Sequence, residues 1–294
     1  DLNGVDLSRW VAALDGAEPI SPANLRAFTE RFAAWGLRET ALNPVYGLSE
    51  AALAVTFSEL SAPWRSVRVD PRSLSEGTVQ AVDGGGVELA RLGPPLPGFG
   101  VDIRDGTGAI VGEGQVGRVH VSGPSLMKGY LNRDEQPIVD GWLDTGDLGF
   151  LWEGELVITG RAKDIIVHRG QNHAPQDLER AVDNVEGVRT GCAIAVGEVS
   201  ESGEQLLIFV EVRTAREGMA EDVAQAVRKA SGLSPDLVLL LEPGTLPRTS
   251  SGKLRRAEAL RRWQAQTLTP PDKITALRMA GVLARSALAR WRHR

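Results

Sequence analysis

"GWLDTGDLGFLWEGELVITGRAKDIIVHRGQNHAPQDLE", residues 141–179, decides how the chain is divided. Its middle, "LWEGELVITG", predicts an antiparallel hairpin. Beyond Arg161 the pattern changes to a strand, "DIIVH", and a helix, "APQDLERAVDNV". A β-rich unit therefore ends near residue 162, and an α/β unit begins there. Asp144 and Asp147 flank a Thr-Gly turn, and Arg161 follows Asp147 by fourteen residues. A hairpin of that length folds Arg161 back towards the aspartate, so the two can share one ligand. Asp147 can accept two hydrogen bonds from a vicinal diol such as that of ribose. An Asp–Arg surface ion pair, common and worth little, is the plainer alternative.

Downstream, "CAIAVG" and "LLIFVEV" predict strands, "MAEDVAQAVRKAS" a helix and "LVLLLE" a further strand, together a compact second unit. Upstream, "GVDIRD", "GQVGRVHVSG" and "GELVITG" are short segments between Gly, Pro and Asp turns, which predicts antiparallel β. Residues 62–86 read as an inserted surface segment ending in Gly84-Gly85-Gly86. The first sixty residues predict layered α/β. "WVAAL" is strand-like, and a helix follows with Ser21 as N-cap, Pro22 in the first turn and apolar Leu25, Phe28, Phe32 and Trp35. "ALNPVYGLSEAALAVTF" then gives a segment, a Tyr-Gly turn and another apolar run.

Of the 294 residues, 42% are apolar and 24% charged, enough for two domains of ordinary globular composition. No apolar run reaches the length of a membrane span, and the first fifteen residues lack a signal-peptide layout. The single cysteine, Cys192, excludes an internal disulfide framework and suits a reducing compartment, so a cytoplasmic location is expected. The net charge of −5 is uneven: nine Arg and one Lys against Glu258 and Asp272 give residues 255–294 a balance of +8, leaving −13 for the rest. His168 and His173 have no third partner for a metal, and Gly84–Gly86 match no dinucleotide or Walker loop.

Two further stretches can carry chemistry. In "YGLSEAA", residues 46–52, Glu50 can hold Mg²⁺ on a nucleotide phosphate, or Ser49 and Glu50 can simply serve a helix start. In "LPRTSSGKLRR", residues 246–256, the loop can place Lys253 on a phosphate, or can be only the polar approach to a basic helix.

In their order the pieces carry more. "DGAEP" (15–19), "YGLSEAA", "WLDTGD" (142–147) with "GRAKD" (160–164), and "PRTSSGK" (247–253) resemble the successive core motifs of the adenylate-forming superfamily. That superfamily includes acyl-CoA synthetases, luciferases and peptide-synthetase adenylation domains. "NHAPQDLE", residues 172–179, resembles its fatty acyl-AMP ligase branch, and residues 62–86 fall where that branch carries its insertion.

The resemblance implies an α/β fold. Residues 1–162 are then the remainder of a large layered domain with a small β-barrel-like subdomain, 163–265 a mobile C-terminal α/β domain, and 266–294 a basic helical tail. It implies ATP and Mg²⁺ as cofactors, and a fatty acid and an acyl carrier protein as partners, with no nucleic acid and no transmembrane segment. Lys253 is then the lysine that reaches the carboxylate and α-phosphate. Gly16, Ala17, Glu18 and Pro19 form the adenine-side loop, Tyr46 and Gly47 pack on the purine, and Ser49 offers a hydroxyl to phosphate. Glu50 holds Mg²⁺, Asp147 accepts the ribose diol, Arg161 contacts ribose or phosphate, and Lys163 is the hinge. Gln171 and Ala174 depart from the Arg and Tyr expected around Asn-His. The sequence holds no Ser/Thr/Gly-rich phosphate loop ending in Pro-Lys, so the resemblance implies the C-terminal half of an enzyme, inactive by itself. An acyl-CoA synthetase and a non-catalytic binding fragment are the alternatives.

Overall fold

The structure, a computed structural model, describes residues 2–60, 62–132, 137–168, 171–200 and 203–270. The opening layer runs β1 (Ala13–Asp15), α1 (Pro22–Ala33), β2 (Leu42–Leu48) and β3 (Leu53–Phe57). β1 pairs parallel with β2, and β2 antiparallel with β3. α1 starts as its sequence dictates: the Ser21 hydroxyl accepts the Asn24 amide, and Pro22 fills a position that needs no donor. "WVAAL" yields less strand than expected. Only residues from Ala13 onward pair, because β1 is a sheet edge with one neighbour, and Val11 and Leu14 stay exposed.

Next come β4 (Ser66–Val69), α2 (Pro71–Ser75) and β5 (Val87–Ala90). Here residues 62–86 differ from a surface insertion. β4 pairs with β5, and Val67 and Val69 are buried in one cluster with Phe150 and Val157. Glu88 on β5 binds Arg26 of α1 and both Ser66 and Arg68 of β4, so it ties this segment to the opening layer. The antiparallel sheet holds β6 (Gly100–Arg104), β7 (Gly117–Ser122), β8 (Ile138–Val139), β9 (Trp142–Trp152) and β10 (Glu155–Arg161). Its order is β10-β9-β7-β6, with β8 beside β9. Val101, Ile103, Val119, Val121 and Leu143 turn one face onto Tyr46 and Val55 of the opening layer.

A single 3₁₀ turn, Ala162–Asp164, leads into the second unit. There β11 (Ile166–His168) and β12 (Gln171–His173) make a hairpin, which places His173 in a strand. Then follow α3 (Pro175–Asp183), β13 (Val188–Ser200), β14 (Gly203–Val212), α4 (Met219–Ser231), β15 (Leu237–Leu241) and α5 (Arg256–Gln264). β14 is central, antiparallel to β13 and parallel to β15. Its unbroken apolar run reflects burial on both faces. Leu206, Ile208 and Val210 meet α3 and α4, while Leu207 and Phe209 meet Trp263 and Ala259 of α5. The basic tail beyond residue 270 lies outside the described residues.

Because Val69 is core, Val69→Ala should lower the free energy of unfolding by about 2 kcal/mol, the loss of two buried carbons. A urea titration checks this; an unchanged midpoint would return the segment to the surface.

Candidate active site

The hairpin places its two ends as the sequence predicted, but only with a correction to its register. Glu155 to Ile158 pair in step with Trp152 to Gly149, after which a bulge admits one extra residue and Arg161 lies opposite Asp147. In the unshifted register Arg161 would oppose Gly146, with its side chain on the other face. Arg161 Nε donates to Asp147 Oδ1 at 2.8 Å. The other carboxylate oxygen accepts the Tyr46 hydroxyl at 2.7 Å.

Asp147 and Tyr46 are 9% and 8% exposed, so the carboxylate and the phenol are buried while Arg161 reaches them from a half-exposed position. Burial and then the Asp147 charge hold the Tyr46 hydroxyl protonated far above the usual phenol range. Burial opposes the Arg161 charge, but Asp147 outweighs it and raises the guanidinium further. Beside this centre a cleft of about 380 Å³ is lined by Arg118, Thr145, Gly146, Arg161, Ala162 and Lys163.

Tyr46-Gly47 is not a turn. Both lie in β2 at a register shift, and the turn comes at Ser49–Ala52. Gly47 is required there because a Cβ would lie 1.5 Å from the Leu53 carbonyl oxygen. Most of the Tyr46 ring is committed to the core, and its hydroxyl to Asp147. Ser49 is exposed and Glu50 half-buried, in a single 3₁₀ turn. Met127 N donates to the Glu50 carbonyl, and the Tyr130 hydroxyl to Glu50 Oε1 at 2.6 Å. Among the described residues no group of three His, Cys, Asp or Glu side chains converges as a metal cage.

The loop at 247–253 folds on itself. Thr249 Oγ1 accepts the Lys253 amide at 3.0 Å and is hydrogen-bonded to Ser251 Oγ at 2.9 Å, and Gly252 takes a φ of +93°. Arg248 braces it, donating to the Gly252 carbonyl at 2.7 Å and to the Gly191 carbonyl at 3.1 Å. From this loop Lys253 Nζ reaches the first unit and donates to the Ala17 carbonyl at 2.8 Å. Ala17, at φ +70°, sits in the exposed stretch Ala17–Pro19, and Gly16 packs where a Cβ would meet the Val45 carbonyl at 2.9 Å. Arg256, just beyond, grips Glu179 of α3 with two nitrogens at 2.7 and 2.6 Å and reaches Asp164 at 3.3 Å.

Two family models divide the chain along these lines. The AMP-binding enzyme model matches residues 2–131, and the AMP domain of Disco-interacting protein 2-like proteins matches residues 163–272. A putative acyl-CoA synthetase of Caulobacter vibrioides is 37% identical over 279 residues, covering 90% of this chain and 49% of that protein. A long-chain-fatty-acid–AMP ligase of Mycobacterium tuberculosis is 34% identical over 293 residues, 90% of this chain and 50% of its own. A solved structure from work on fatty acyl-adenylate ligases of E. coli and L. pneumophila superposes with a TM-score of 0.82 at 37% identity. It covers 89% of this chain and 48% of that one.

Residues 2–131 match the AMP-binding enzyme family, and most of the chain is similar to these relatives. The chain spans about half the length of the curated relatives it matches. Within this chain Tyr46, Asp147 and Arg161 meet at the contact of the opening layer with the antiparallel sheet, and Lys253 of the second unit reaches the opening layer at Ala17. Three contributors were given no role from sequence: Tyr130, outside every quoted motif, and Arg248 and Arg256, inside the quoted stretch 246–256. The bond from Tyr46 to Asp147 spans 101 residues, which spacing does not reveal.

Tyr46→Phe removes a donor from a buried carboxylate and should cost about 2 kcal/mol of stability, within the range for hydrogen bonds to charged groups. Urea unfolding of the variant should show a lower midpoint at unchanged slope.

Proposed function

We propose that this chain works in ATP-dependent activation of a fatty acid to its acyl-adenylate, followed by transfer to the phosphopantetheine thiol of an acyl carrier protein. The observation that carries the reading is the reach of Lys253 from the second unit to the Gly16–Pro19 loop, whose Gly16 packs against Val45, the neighbour of Tyr46. In the first step a carboxylate oxygen of the acid attacks the α-phosphorus of ATP. The new O–P bond forms as the bond to the β-phosphate oxygen breaks, and pyrophosphate leaves. Two anions approach each other, so a fixed cation stabilises the transition state most where their charges meet. Lys253 supplies that cation. Asp147, held by two donors, accepts the ribose diol, and Arg161 contacts ribose or phosphate.

Glu50 suits Mg²⁺ that arrives on nucleotide phosphates, since that ion takes one or two carboxylates together with phosphate oxygens. When bound, the ion offsets charge on the leaving pyrophosphate. Lys163, in the 3₁₀ turn between the two units, is the hinge for the second step, which would move Lys253 away from the site. The cytoplasm is the proposed location.

Lys253→Ala in the complete enzyme should lower fatty-acid-dependent pyrophosphate release by at least 100-fold, the scale for losing a preorganised charge donor. Transfer of preformed acyl-adenylate should be nearly unchanged. Pyrophosphate release near the wild-type rate would remove Lys253 from the chemistry.

An acyl-CoA synthetase is the second reading, favoured by the likeness to the Caulobacter protein. "NHAPQDLE" favours the carrier protein. Acyl-adenylate should persist with CoA and discharge onto a phosphopantetheinylated carrier, followed by mass spectrometry. Efficient acyl-CoA formation would decide for the synthetase.

A further inference from the structure

The turn that carries Glu50 is strained and is held from outside. Ala52 and Leu53 both take positive φ, 54° and 99°. Two successive residues with side chains in that region are disfavoured unless their surroundings fix them. Leu53 is 71% exposed, so burial of its side chain does not compensate. The segment 125–130 does the holding. Ser125 Oγ donates to the Ala51 carbonyl at 2.7 Å, Met127 N to the Glu50 carbonyl at 2.7 Å, and the Tyr130 hydroxyl to Glu50 Oε1 at 2.6 Å. Three hydrogen bonds along one short segment thus land on two consecutive residues.

The partner chosen for Glu50 is also unusual for this protein. Asp147, Glu88, Glu155 and Glu211 each face an arginine. Among the described residues Glu50 has no cationic partner and is fixed by a phenol. A neutral donor orients a carboxylate without cancelling its charge. It occupies one oxygen and leaves the other, and the full negative charge, to attract a cation.

We propose that residues 125–130 form a strap over the strained turn, and that Tyr130 is a positioning residue that sets the Glu50 carboxylate for a divalent cation carried on nucleotide phosphates. The inference rests on the reading of Glu50 as the cation-holding carboxylate. Hydrogen-bonded partners of metal-ligating carboxylates typically affect metal affinity by 10–100-fold. A single exposed phenol belongs at the lower end of that range.

Two readouts test it, on Tyr130→Phe and Glu50→Gln variants. The first is Mn²⁺ affinity in the presence of ATP, by electron paramagnetic resonance of the complete enzyme. Glu50→Gln should abolish tight Mn²⁺ binding, and Tyr130→Phe should weaken it about tenfold. The second is amide hydrogen exchange in this chain. Tyr130→Phe should speed exchange at the Ala52 and Met127 amides, which bond to Ser49 and Glu50 carbonyls, and leave β7 and β9 unchanged. If Glu50→Gln binds Mn²⁺ normally, the reading of Glu50 fails. If Glu50→Gln loses Mn²⁺ while Tyr130→Phe binds like the wild type, the positioning role fails and the reading survives. Exchange that rises across β7 and β9 as well would mark Tyr130 as a general packing residue and overturn the strap.

Discussion

A carboxylate that is nine-tenths buried must be supplied with donors, and Asp147 draws two layers of the molecule together to obtain them. An uncompensated buried charge costs several kcal/mol, more than most single contacts return. Tyr46 answers from β2 and Arg161 from β10, so the opening layer is fastened to the antiparallel sheet at this point. The bulge before Gly160 follows from the same demand, since only the shifted register puts Arg161 on the correct face. The chain passes into the second unit immediately after Arg161. The residue that holds Asp147 from β10 therefore adjoins the 3₁₀ turn that joins the two units.

The second unit has its own anchors, and they converge on the loop that carries Lys253. Glu211, fully buried in β14, faces Arg189 and accepts the Leu246 amide, which fixes where that loop begins. Arg248 fastens the loop to β13, and Arg256 ties its far end to Glu179 and to Asp164 in the 3₁₀ turn. The lysine is long and flexible, but its base is held at both ends. Positioning of this kind lets a single cation act on a transition state without first being reorganised.

The segment 62–86 shows why an insertion read from sequence can be structural. Its Gly, Ser and Asp content marks turns, and Gly85 and Gly86 do take positive φ. Yet "SVRV" alternates, and the two valines complete a cluster around Phe150 and Val157. The polar flanks dominated the reading, while a four-residue strand supplied the burial.

The sequence by itself determined the local structure and the inventory of the site. The N-cap at Ser21, the helix from Met219 to Ser231, the hairpin that returns Arg161 to Asp147 and the Lys253 loop were all legible, because each depends on spacing and on residue-specific backbone preference within a few turns. Tertiary structure alone decided three matters: that Tyr46 donates to Asp147, that Tyr130 holds Glu50, and that the aromatic stripe of Phe28, Phe32 and Trp35 is only half-buried. Each depends on what lies across space from a residue, and neither period nor propensity encodes that. A buried charge accepts whichever donor the packed chain brings within 3 Å, and that distance is set only after the layers have closed.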